Sequence, residues 1–553
     1  MKVDDVVAAA FVKEGTTLVF GLLGDGQLKW WSAMSQYPEV KLIDVRDEGA
    51  SLAMADGWAR VTGKVAVCSV TQGPGVSRIA TSLITAVRYH TPIVIYTSAT
   101  GFNKDNAMQY LDQEKLVSAT GAGYIEVLTA DYAEYATRLA FYRAKLEGRP
   151  IVLSIPMDVQ TKDCVGSGEQ YVPSFSFYSS NQKIHPDKNS LKSAYEIILA
   201  SKNPLIIAGR GVLNSPAIHL IKNLSNQIGA LLASTLHAKN IFTESEFYTG
   251  IVGLFSTKNA LELYKEVDCV IAMGSSLNNY AILANGKKLF PNAKIIHVDI
   301  EPHLLMGDGR PANCYVQSDI SIFIELLTSK INSDQFKNQG FHTEIVREKL
   351  SQLTFDNQQY NIEENRVDPR ELALKLDEIL PLNIGLVVGD GHFMSFPTML
   401  INKKRNFYLF STAFGSIGQG LSTAIGASAE CDYPVVCIEG DGGALQNIQE
   451  LDTAARLGIK LLYIIMNDDA YGAEYHKLKV KNLDANLSAV ISPNFAAIGR
   501  GFGCRGVTAF SLDDVVLAVK EFLINDGPMV LDVKISRNVI SIPYRRMHLK
   551  EDV

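Results

Sequence analysis

Short runs of valine, isoleucine and leucine, each followed by a helical pattern, recur along most of this 553-residue chain. Examples are PIVIYTS and PIVLSIP in the first third, and PVVCIEG and LLYIIMN in the last third. Strands that are apolar on both faces need cover on both sides, so these runs predict parallel sheets flanked by helices. We therefore expect an α/β protein built from doubly wound parallel-sheet domains.

Two polar stretches divide this pattern into three blocks. The expected domains cover residues 1–165, 186–330 and 367–553, with linkers between them. Three domains agree with the usual size of roughly 100–200 residues per domain.

Composition and charge argue against several classes of protein. The net charge is -7 and no dense run of Lys or Arg occurs, which disfavours a nucleic-acid partner. No apolar run reaches the ~18–20 residues of a membrane span. Aspartates near the N-terminus are untypical of a secretion signal, and the 7 cysteines lack metal-binding spacing. We expect a cytoplasmic protein that acts on a small molecule and has no membrane partner.

The stretch IEGDGGALQ at 438–446 predicts a strand that enters a glycine turn and then a helix. Glycine N–H groups and a helix N-terminus favour phosphate oxygens, but an aspartate in the same turn does not. A Mg²⁺ ion between Asp441 and a diphosphate resolves this conflict, because Mg²⁺ prefers oxygens shared between protein and phosphates. The next strand ends in NDDAYG, so Asp468 and a carbonyl near Ala470 would face the same crevice. A simple turn and a helix cap are the alternative interpretation.

The GDG at 440–442, followed by ND at 467–468, resembles the signature of the thiamine diphosphate enzymes. These form the acetolactate synthase, pyruvate decarboxylase and benzoylformate decarboxylase superfamily, whose signature is GDG and then NN at a fixed distance. The resemblance implies thiamine diphosphate and Mg²⁺ as cofactors, with Asp441, Asp468 and the Ala470 carbonyl as metal ligands. Asp468 replaces the second asparagine, and its charge can tighten metal binding or weaken attraction for the diphosphate. Other residues implied to bind the cofactor here are Gly440, Gly442, Gly443, Tyr471 and Gly472.

The stretch DEGASLAMADGWARVTGK at 47–64 resembles the pyrimidine-binding segment of the same family. In thiamine chemistry the cofactor's own aminopyrimidine removes a proton, once a protein carboxyl group has shifted its tautomer. The resemblance assigns that carboxyl group to Glu48. An ordinary first-turn helix carboxylate is the alternative.

Two glycine-rich segments complete the resemblance. TQGPGV at 71–76 resembles the turn over the pyrimidine, and FGSIGQG at 414–420 resembles the segment that props the cofactor in its bent form. In the second segment an isoleucine side chain would be the prop and a glycine carbonyl would accept from the 4′-amino group. The residues implied at these places are Gly73, Pro74, Gly415 and Ile417, with Gln109 where many members carry an active-site glutamine.

Three further side chains are candidates for proton transfer. Asp25 and Glu474 lie where 2-keto acid decarboxylases carry catalytic carboxylates, and His392 lies near the expected cofactor-facing edge. Each has a structural alternative, as a helix cap, a surface carboxylate or a buried structural histidine. The His-His pair of pyruvate decarboxylases is absent from the corresponding stretch at 101–115.

The chain as a whole resembles the acetolactate synthase-like branch. We expect cleavage of a C–C bond in a 2-keto acid or related ketone, after which a second carbonyl captures the fragment. Protonation of the fragment to an aldehyde, as in a simple decarboxylase, is one alternative, and a non-catalytic thiamine diphosphate-binding regulatory subunit is another. FAD in the middle block is possible but not favoured, because glycines at strand ends also serve packing. Since the family forms its active sites between subunits, the resemblance implies a homodimer or homotetramer.

Overall fold

The computed structural model describes residues 1–101, 107–164, 171–178, 183–213, 217–284, 287–301, 305–352 and 356–552. Three six-stranded parallel sheets lie in this part of the chain, with helices between most successive strands. The expected α/β architecture of three doubly wound domains is confirmed. None of the described helices is long and apolar enough to cross a lipid bilayer.

The first sheet lies within residues 1–165. Its strands are β1 (Leu18–Gly21), β2 (Lys41–Asp44), β3 (Ala66–Ser69), β4 (Ile93–Ala99), β5 (Gly123–Glu126) and β6 (Ile151–Pro156). Its helices are α1 (Val3–Lys13), α2 (Leu28–Met34), α3 (Glu48–Thr62), α4 (Pro74–Arg78), α5 (Ala80–Arg88), α6 (Gln113–Ala119), α7 (Ala133–Glu147) and α8 (Met157–Gln160). The spatial order is β2-β1-β3-β4-β6-β5. The long strands β4 and β6 are buried throughout, as their continuous apolar sequences require.

The middle sheet lies within residues 186–330. Its strands are β7 (Pro204–Ala208), β8 (Leu231–Ser234), β9 (Tyr248–Ile251), β10 (Cys269–Met273), β13 (Lys294–Asp299) and β14 (Cys314–Gln317), with β11 (Leu283–Ala284) and β12 (Lys287–Lys288) forming a separate ribbon. Its helices are α9 (Lys188–Ala200), α10 (Ala217–Ile228), α11 (Lys258–Tyr264), α12 (Asn279–Ile282) and α13 (Ile320–Ser333), and α14 (Glu344–Ser351) follows in the second linker. The spatial order is β14-β13-β10-β7-β8-β9.

The third sheet lies within residues 367–553. Its strands are β15 (Gly385–Val388), β16 (Phe407–Phe410), β17 (Val435–Gly440), β18 (Leu461–Asn467), β19 (Arg505–Ala509) and β20 (Met529–Lys534). Its helices are α15 (Pro369–Ile379), α16 (Ser395–Leu400), α17 (Gly420–Ser428), α18 (Asp441–Asn447), α19 (Leu451–Leu457), α20 (Gly472–Val480), α21 (Phe495–Gly501), α22 (Leu512–Ile524) and α23 (Ile542–Tyr544). The order β16-β15-β17-β18-β20-β19 repeats that of the first sheet. The limits of the three domains stay predictions.

The first and third domains pack through α3 and α17, which occupy equivalent places in the two strand orders. Glycines allow the two helices to cross closely. A Cβ atom at Gly57 would lie 2.1 Å from the carbonyl oxygen of Thr423, and one at Gly426 would lie 1.9 Å from that of Met54. One apolar core therefore includes side chains of both domains.

Candidate active site

Two buried carboxylates meet at the carboxyl ends of β17 and β18. Asp441 is the first residue of α18, and Asp468 directly follows β18. Both side chains are buried. Burial raises the pKa of Asp441, and burial together with the nearby charge of Asp441 raises the pKa of Asp468. Two adjacent buried acids fit a divalent cation, which would allow both to ionise.

The turn after β18 offers a further oxygen ligand. The Ala470 N–H donates to Asp468 Oδ1 at 3.2 Å, and the Tyr471 N–H donates to the Ser488 carbonyl at 2.9 Å. Within the described residues, no hydrogen bond ends on the Ala470 carbonyl oxygen. The described chain also holds no cluster of three or more His, Cys, Asp or Glu side chains suited to a metal. A cation here would depend on two carboxylates, a carbonyl and oxygens of a bound ligand.

The glycine turn at Asp441 packs closely against the loop after β18. A Cβ atom at Gly442 would lie 2.6 Å from the Tyr471 ring, and one at Gly472 would lie 2.7 Å from Asp468 Oδ2. Because α18 begins at Asp441, the N–H groups of its first turn, including that of Gly443, have no acceptor within the helix. Gly440 ends β17 and precedes this turn, so the predicted cofactor-binding glycines lie together.

His392 lies buried just beyond the end of β15. The Ser541 N–H donates to its Nε2 at 3.0 Å, so the neutral ring carries its proton on Nδ1. Its ring centroid lies 4.4 Å from that of His476 and 4.7 Å from that of Tyr544. Burial lowers the pKa of His392, which favours a neutral hydrogen-bond donor over a cation. Its Nδ1 lies 3.5 Å from the place of a Cβ atom on Gly472.

Glu474 occupies the first turn of α20 and is exposed. The Lys477 Nζ lies 3.3 Å from its carboxylate. The structure therefore places Glu474 on the same loop-helix unit as Asp468, with its carboxylate at the surface.

The loop before α17 carries Gly415 and Ile417. Gly415 has a φ of 75°, which favours glycine, and Ile417 is half-buried. The Asn447 side chain of α18 donates to the Gly418 carbonyl. This loop therefore lies beside the helix that begins at Asp441.

In the first domain, Glu48 lies next to the glycine–proline turn. It is the first residue of α3, and Asp47 caps that helix by accepting from the Ala50 N–H. The Glu48 Oε2 lies 3.2 Å from the Nε of Arg78, which ends the helix that begins at Pro74. The predicted carboxyl group and the predicted turn are thus neighbours.

A polar network joins this turn to two other predicted segments. The Gln72 Nε2 donates to Gln109 Oε1 at 2.7 Å, and the Ser98 hydroxyl donates to the side-chain Oε1 of Gln72. Gly73 has a φ of 60°, and a Cβ atom there would lie 2.2 Å from the Gln109 carbonyl oxygen. A Cβ atom at Gly26 would lie 1.9 Å from Gln72 Oε1. The turn that contains Gly26 and the exposed Asp25 therefore lies directly beside Gln72.

The predicted site residues therefore form two groups. The first-domain group contains Asp25, Glu48, Gly73, Pro74 and Gln109. The third-domain group contains His392, Gly415, Ile417, Gly440, Asp441, Gly442, Gly443, Asp468, Ala470, Tyr471, Gly472 and Glu474. No hydrogen bond or ion pair between described residues joins a member of one group to a member of the other.

Several polar side chains of these groups escaped the sequence analysis. Ser492 donates to Asp441 Oδ2 at 2.8 Å, and it comes from a loop without a recognisable motif. Tyr544 reaches His392 from the C-terminal segment. Gln72 lies within the TQGPGV turn and His476 lies four residues after NDDAYG. A polar side chain in or next to a recognised motif was the signal that could have identified them.

The two C-terminal arginines are structural in this arrangement. The Arg545 guanidinium lies 3.0 Å from Asp356 and 2.7 Å from Glu551. The buried Arg546 donates to the carbonyls of Leu254 and Ser256 in the middle domain, both at 2.7 Å. The C-terminal segment is therefore packed between the third and middle domains. Residues 102–106, within the stretch compared with pyruvate decarboxylases, lie outside the described residues.

Comparison with known proteins agrees with this arrangement. Residues 1–116, 191–327 and 387–533 match the N-terminal, central and C-terminal domains of the thiamine pyrophosphate enzymes, thiamine pyrophosphate being thiamine diphosphate. A probable acetolactate synthase large subunit of Methanocaldococcus jannaschii is 27% identical over 97% of this chain and 92% of its own. The acetolactate synthase large subunit of Haemophilus influenzae is 26% identical over 97% of this chain and 94% of its own length. A sulfoacetaldehyde acetyltransferase of Castellaniella defragrans is 26% identical over 100% of this chain and 96% of its own length.

The three domain matches, their order along the chain and these full-length relatives agree with each other. The chain belongs to the thiamine diphosphate-dependent enzymes of the acetolactate synthase and pyruvate decarboxylase superfamily.

Proposed function

We propose that this enzyme is an acetolactate synthase-like carboligase. It would cleave a 2-keto acid or related ketone and transfer the fragment to a second carbonyl compound. The observation that carries the proposal is the pair Asp441 and Asp468 beside a glycine turn, in a chain similar over nearly its whole length to acetolactate synthases. The sulfoacetaldehyde acetyltransferase is about equally similar, so the likeness leaves the second substrate open.

The third-domain group would hold the charged end of the cofactor. Thiamine diphosphate, when bound, supplies a nucleophilic carbon for attack on a ketone and takes up the negative charge left by C–C cleavage. Asp441, Asp468 and the Ala470 carbonyl would bind Mg²⁺, and the N–H groups of residues 440–443 would donate to diphosphate oxygens. Tyr471 and Gly472 would close this end of the site.

The first-domain group would hold the pyrimidine. The carboxyl group of Glu48 would exchange a proton with a ring nitrogen, and Gly73 and Pro74 would lie against the ring. From the third domain, the Gly415 carbonyl would accept from the ring's amino group and Ile417 would support the cofactor between its two ends. Asp25, Gln109, His392 and Glu474 would bind substrate or transfer protons.

A second copy of the chain would bring the two groups together. Large apolar side chains are exposed beside both groups: Met108, next to Gln109, is 96% exposed, and Ile491, next to Ser492, is 98% exposed. Exposed apolar side chains of this size favour a covering surface. We infer a homodimer or homotetramer in which the site lies between a first domain and the partner's third domain.

A decarboxylase that releases an aldehyde is the second candidate. The positions of Asp25 and Glu474 favour it, because both side chains are exposed at the surface of their groups, where a substrate could reach them. A non-catalytic regulatory subunit is not favoured, since the chain belongs to an enzyme family and keeps both groups.

FAD is not required in the middle domain: a Cβ atom at Gly209 would lie 2.2 Å from the Gly274 carbonyl oxygen, so packing explains this strand-end glycine. Flavin absorbance of the purified protein tests that point.

A panel of 2-keto acids, each offered alone and with a second carbonyl compound, distinguishes the candidates. Purified enzyme with Mg²⁺ and thiamine diphosphate is assayed for CO₂ release, and the products are identified by mass spectrometry. A carboligase gives a 2-hydroxyketone or acetohydroxy acid, whereas a simple decarboxylase gives one aldehyde per CO₂. The absence of C–C cleavage across the panel would contradict both.

Glu48→Gln should lower kcat by at least about 100-fold, because the amide cannot exchange a proton with the cofactor ring. Thermal unfolding should stay near that of the wild type. The matched control is Glu371→Gln, which changes an exposed first-turn carboxylate of α15, a helix that carries none of the predicted site residues. Near-normal turnover of Glu48→Gln would show that another group performs this task.

A further inference from the structure

Glu439 is a fully buried carboxylate to which the proposed function assigns no task. It precedes Gly440 at the end of β17, and its side chain is 0% exposed. Its Oε2 accepts the Gly420 N–H at 3.0 Å, while Oε1 has no hydrogen-bond partner among the described residues. A buried carboxylate with one oxygen unpaired is costly, so its presence calls for a reason beyond filling space.

Three glycines from separate segments surround this carboxylate. A Cβ atom at Gly389, after β15, would lie 2.0 Å from Oε1. One at Gly420, the start of α17, would lie 2.3 Å from Oε2, and one at Gly443, in α18, would lie 2.7 Å from Oε1. Any side chain at these three places would collide with the Glu439 carboxylate. The backbone of three segments is therefore shaped around one side chain.

The contact with Gly420 fixes the end of the loop that carries Gly415 and Ile417. The Gly420 N–H belongs to the first turn of α17, where no acceptor exists within the helix, so the carboxylate completes that turn. On the other side of the loop, the Asn447 side chain donates to the Gly418 carbonyl. Glu439 and Asn447 thus attach this loop to the same strand and helix that carry Asp441.

We propose that Glu439 is a positioning residue whose carboxylate sets the place of the Ile417 loop relative to the Asp441 metal site. The inference rests on the proposed function, in which Ile417 supports the cofactor and Asp441 holds its metal. Because one ligand would span both places, an error in the loop position reduces binding even when each contact residue is intact.

Three variants separate this role from simple space filling. Glu439→Gln keeps the length and the acceptor for the Gly420 N–H but removes the charge. Glu439→Asp keeps the charge but is one methylene too short to reach that N–H. Glu439→Leu fills much of the volume without any acceptor. Glu450→Gln is the matched control, because Glu450 is equally buried but accepts from the Arg46 N–H and from Thr453, away from the loop.

The Kd for thiamine diphosphate at saturating Mg²⁺ is measured by calorimetry, and the bound cofactor is followed by near-ultraviolet circular dichroism. Thermal unfolding shows which variants are folded. We expect Glu439→Gln and the control to bind within about twofold of the wild type with the same spectrum. Glu439→Asp and Glu439→Leu should raise Kd about tenfold or more and change the spectrum, because the hydrogen bond from the Gly420 N–H that fixes the loop is lost.

Two results would overturn the inference. One is a folded Glu439→Leu variant that binds as tightly as the wild type. The other is a Glu439→Asp variant that binds normally while Glu439→Gln does not, since charge and not reach would then matter. If Glu439→Leu does not fold, the comparison of the Kd values of Glu439→Gln and Glu439→Asp decides the inference. A wild type that binds no thiamine diphosphate would refute the proposed function itself, and this inference with it.

Discussion

At the residue scale, Asp468 is the departure of this chain from the family signature. An asparagine in that place would add no charge, whereas the pKa of Asp468 is raised by its burial and by the nearby charge of Asp441. A bound divalent cation reverses this shift. We therefore expect Asp468 to lower the stability of the metal-free protein and, under the proposed function, to strengthen the binding of a cation.

Asp468→Asn should stabilise the metal-free protein by about 1–2 kcal/mol near pH 7, because one buried carboxylate is removed. It should also weaken Mg²⁺ binding, so that added Mg²⁺ and thiamine diphosphate raise the Tm less than in the wild type. Thermal unfolding with and without both ligands measures the two effects. An unchanged Tm of the metal-free variant would show that the two carboxylates do not interact.

The sequence predicted part of this residue-scale arrangement. Asp441 and Asp468 were expected to meet, because neighbouring parallel strands end at one edge of a sheet. The Ser492 contact to Asp441 was not predictable, because its loop lies far along the chain and has no motif. The contact between Glu48 and Arg78 depends on how α4 is oriented, which no local pattern specifies.

At the element scale, the junction of the first and third domains combines a close helix crossing with polar contacts. Besides α3 and α17, the Arg46 N–H donates to Glu450 at 3.0 Å and the Arg46 guanidinium to Asp452 at 2.7 Å. Glu450 is fully buried. Its burial raises its pKa to about 7, although hydrogen bonds from Thr453 and Arg46 oppose the shift. We therefore expect the stability of this junction to depend on pH.

Glu450→Gln should flatten the dependence of stability on pH. Because the folded-state pKa lies above the ordinary value of 4.5, the folded protein binds an extra proton between pH 4.5 and about 7. The free energy of unfolding therefore falls as pH rises through this window, by up to about 1.4 kcal/mol per pH unit. Denaturant unfolding of the wild type and of Glu450→Gln at about pH 5, 6 and 7 measures how the free energy of unfolding of each protein changes with pH. Equal slopes would contradict the assignment.

Strand prediction succeeded in the sheet centres, and at the edges it recognised β2 but missed the other edge strands. The buried strands β4, β6, β17 and β18 have continuous apolar sequences and were recognised. Six strands of the three large sheets were missed: β5, β8, β9, β14, β16 and β19. All six lie at or beside a sheet edge and are short, and all but β8 are partly exposed, so their apolar pattern is weaker. The helix crossing of α3 and α17 is a tertiary contact that the two glycines alone did not reveal.

At the scale of the whole molecule, the first and third domains are two versions of one sheet order. Glu48 begins α3, and the Gly415–Ile417 loop precedes α17, so the two groups occupy equivalent ends of equivalent elements. A twofold dimer can therefore place the first domain of one chain against the third domain of its partner, twice. This symmetry argument, and not a contact within one chain, supports a shared site.

Mixing two inactive variants tests the shared site. Glu48→Gln and Asp441→Asn should each be nearly inactive alone. After co-expression, mixed dimers should hold one intact and one doubly altered site, giving about a quarter of the wild-type activity with random pairing. Co-expression of Glu48→Gln with Glu48→Ala is the control and should restore nothing. No recovery in the first mixture would place both groups of a site on one chain.

The central claim is that a Mg²⁺ ion held by Asp441 and Asp468 binds the diphosphate of the cofactor. Calorimetric titration of thiamine diphosphate into the metal-free protein, with and without Mg²⁺, tests it most directly, with Asp441→Asn beside the wild type. We predict tight binding to the wild type only with Mg²⁺, and a loss of at least about 100-fold in affinity for Asp441→Asn. Binding of equal strength without Mg²⁺, or in Asp441→Asn, would contradict the account.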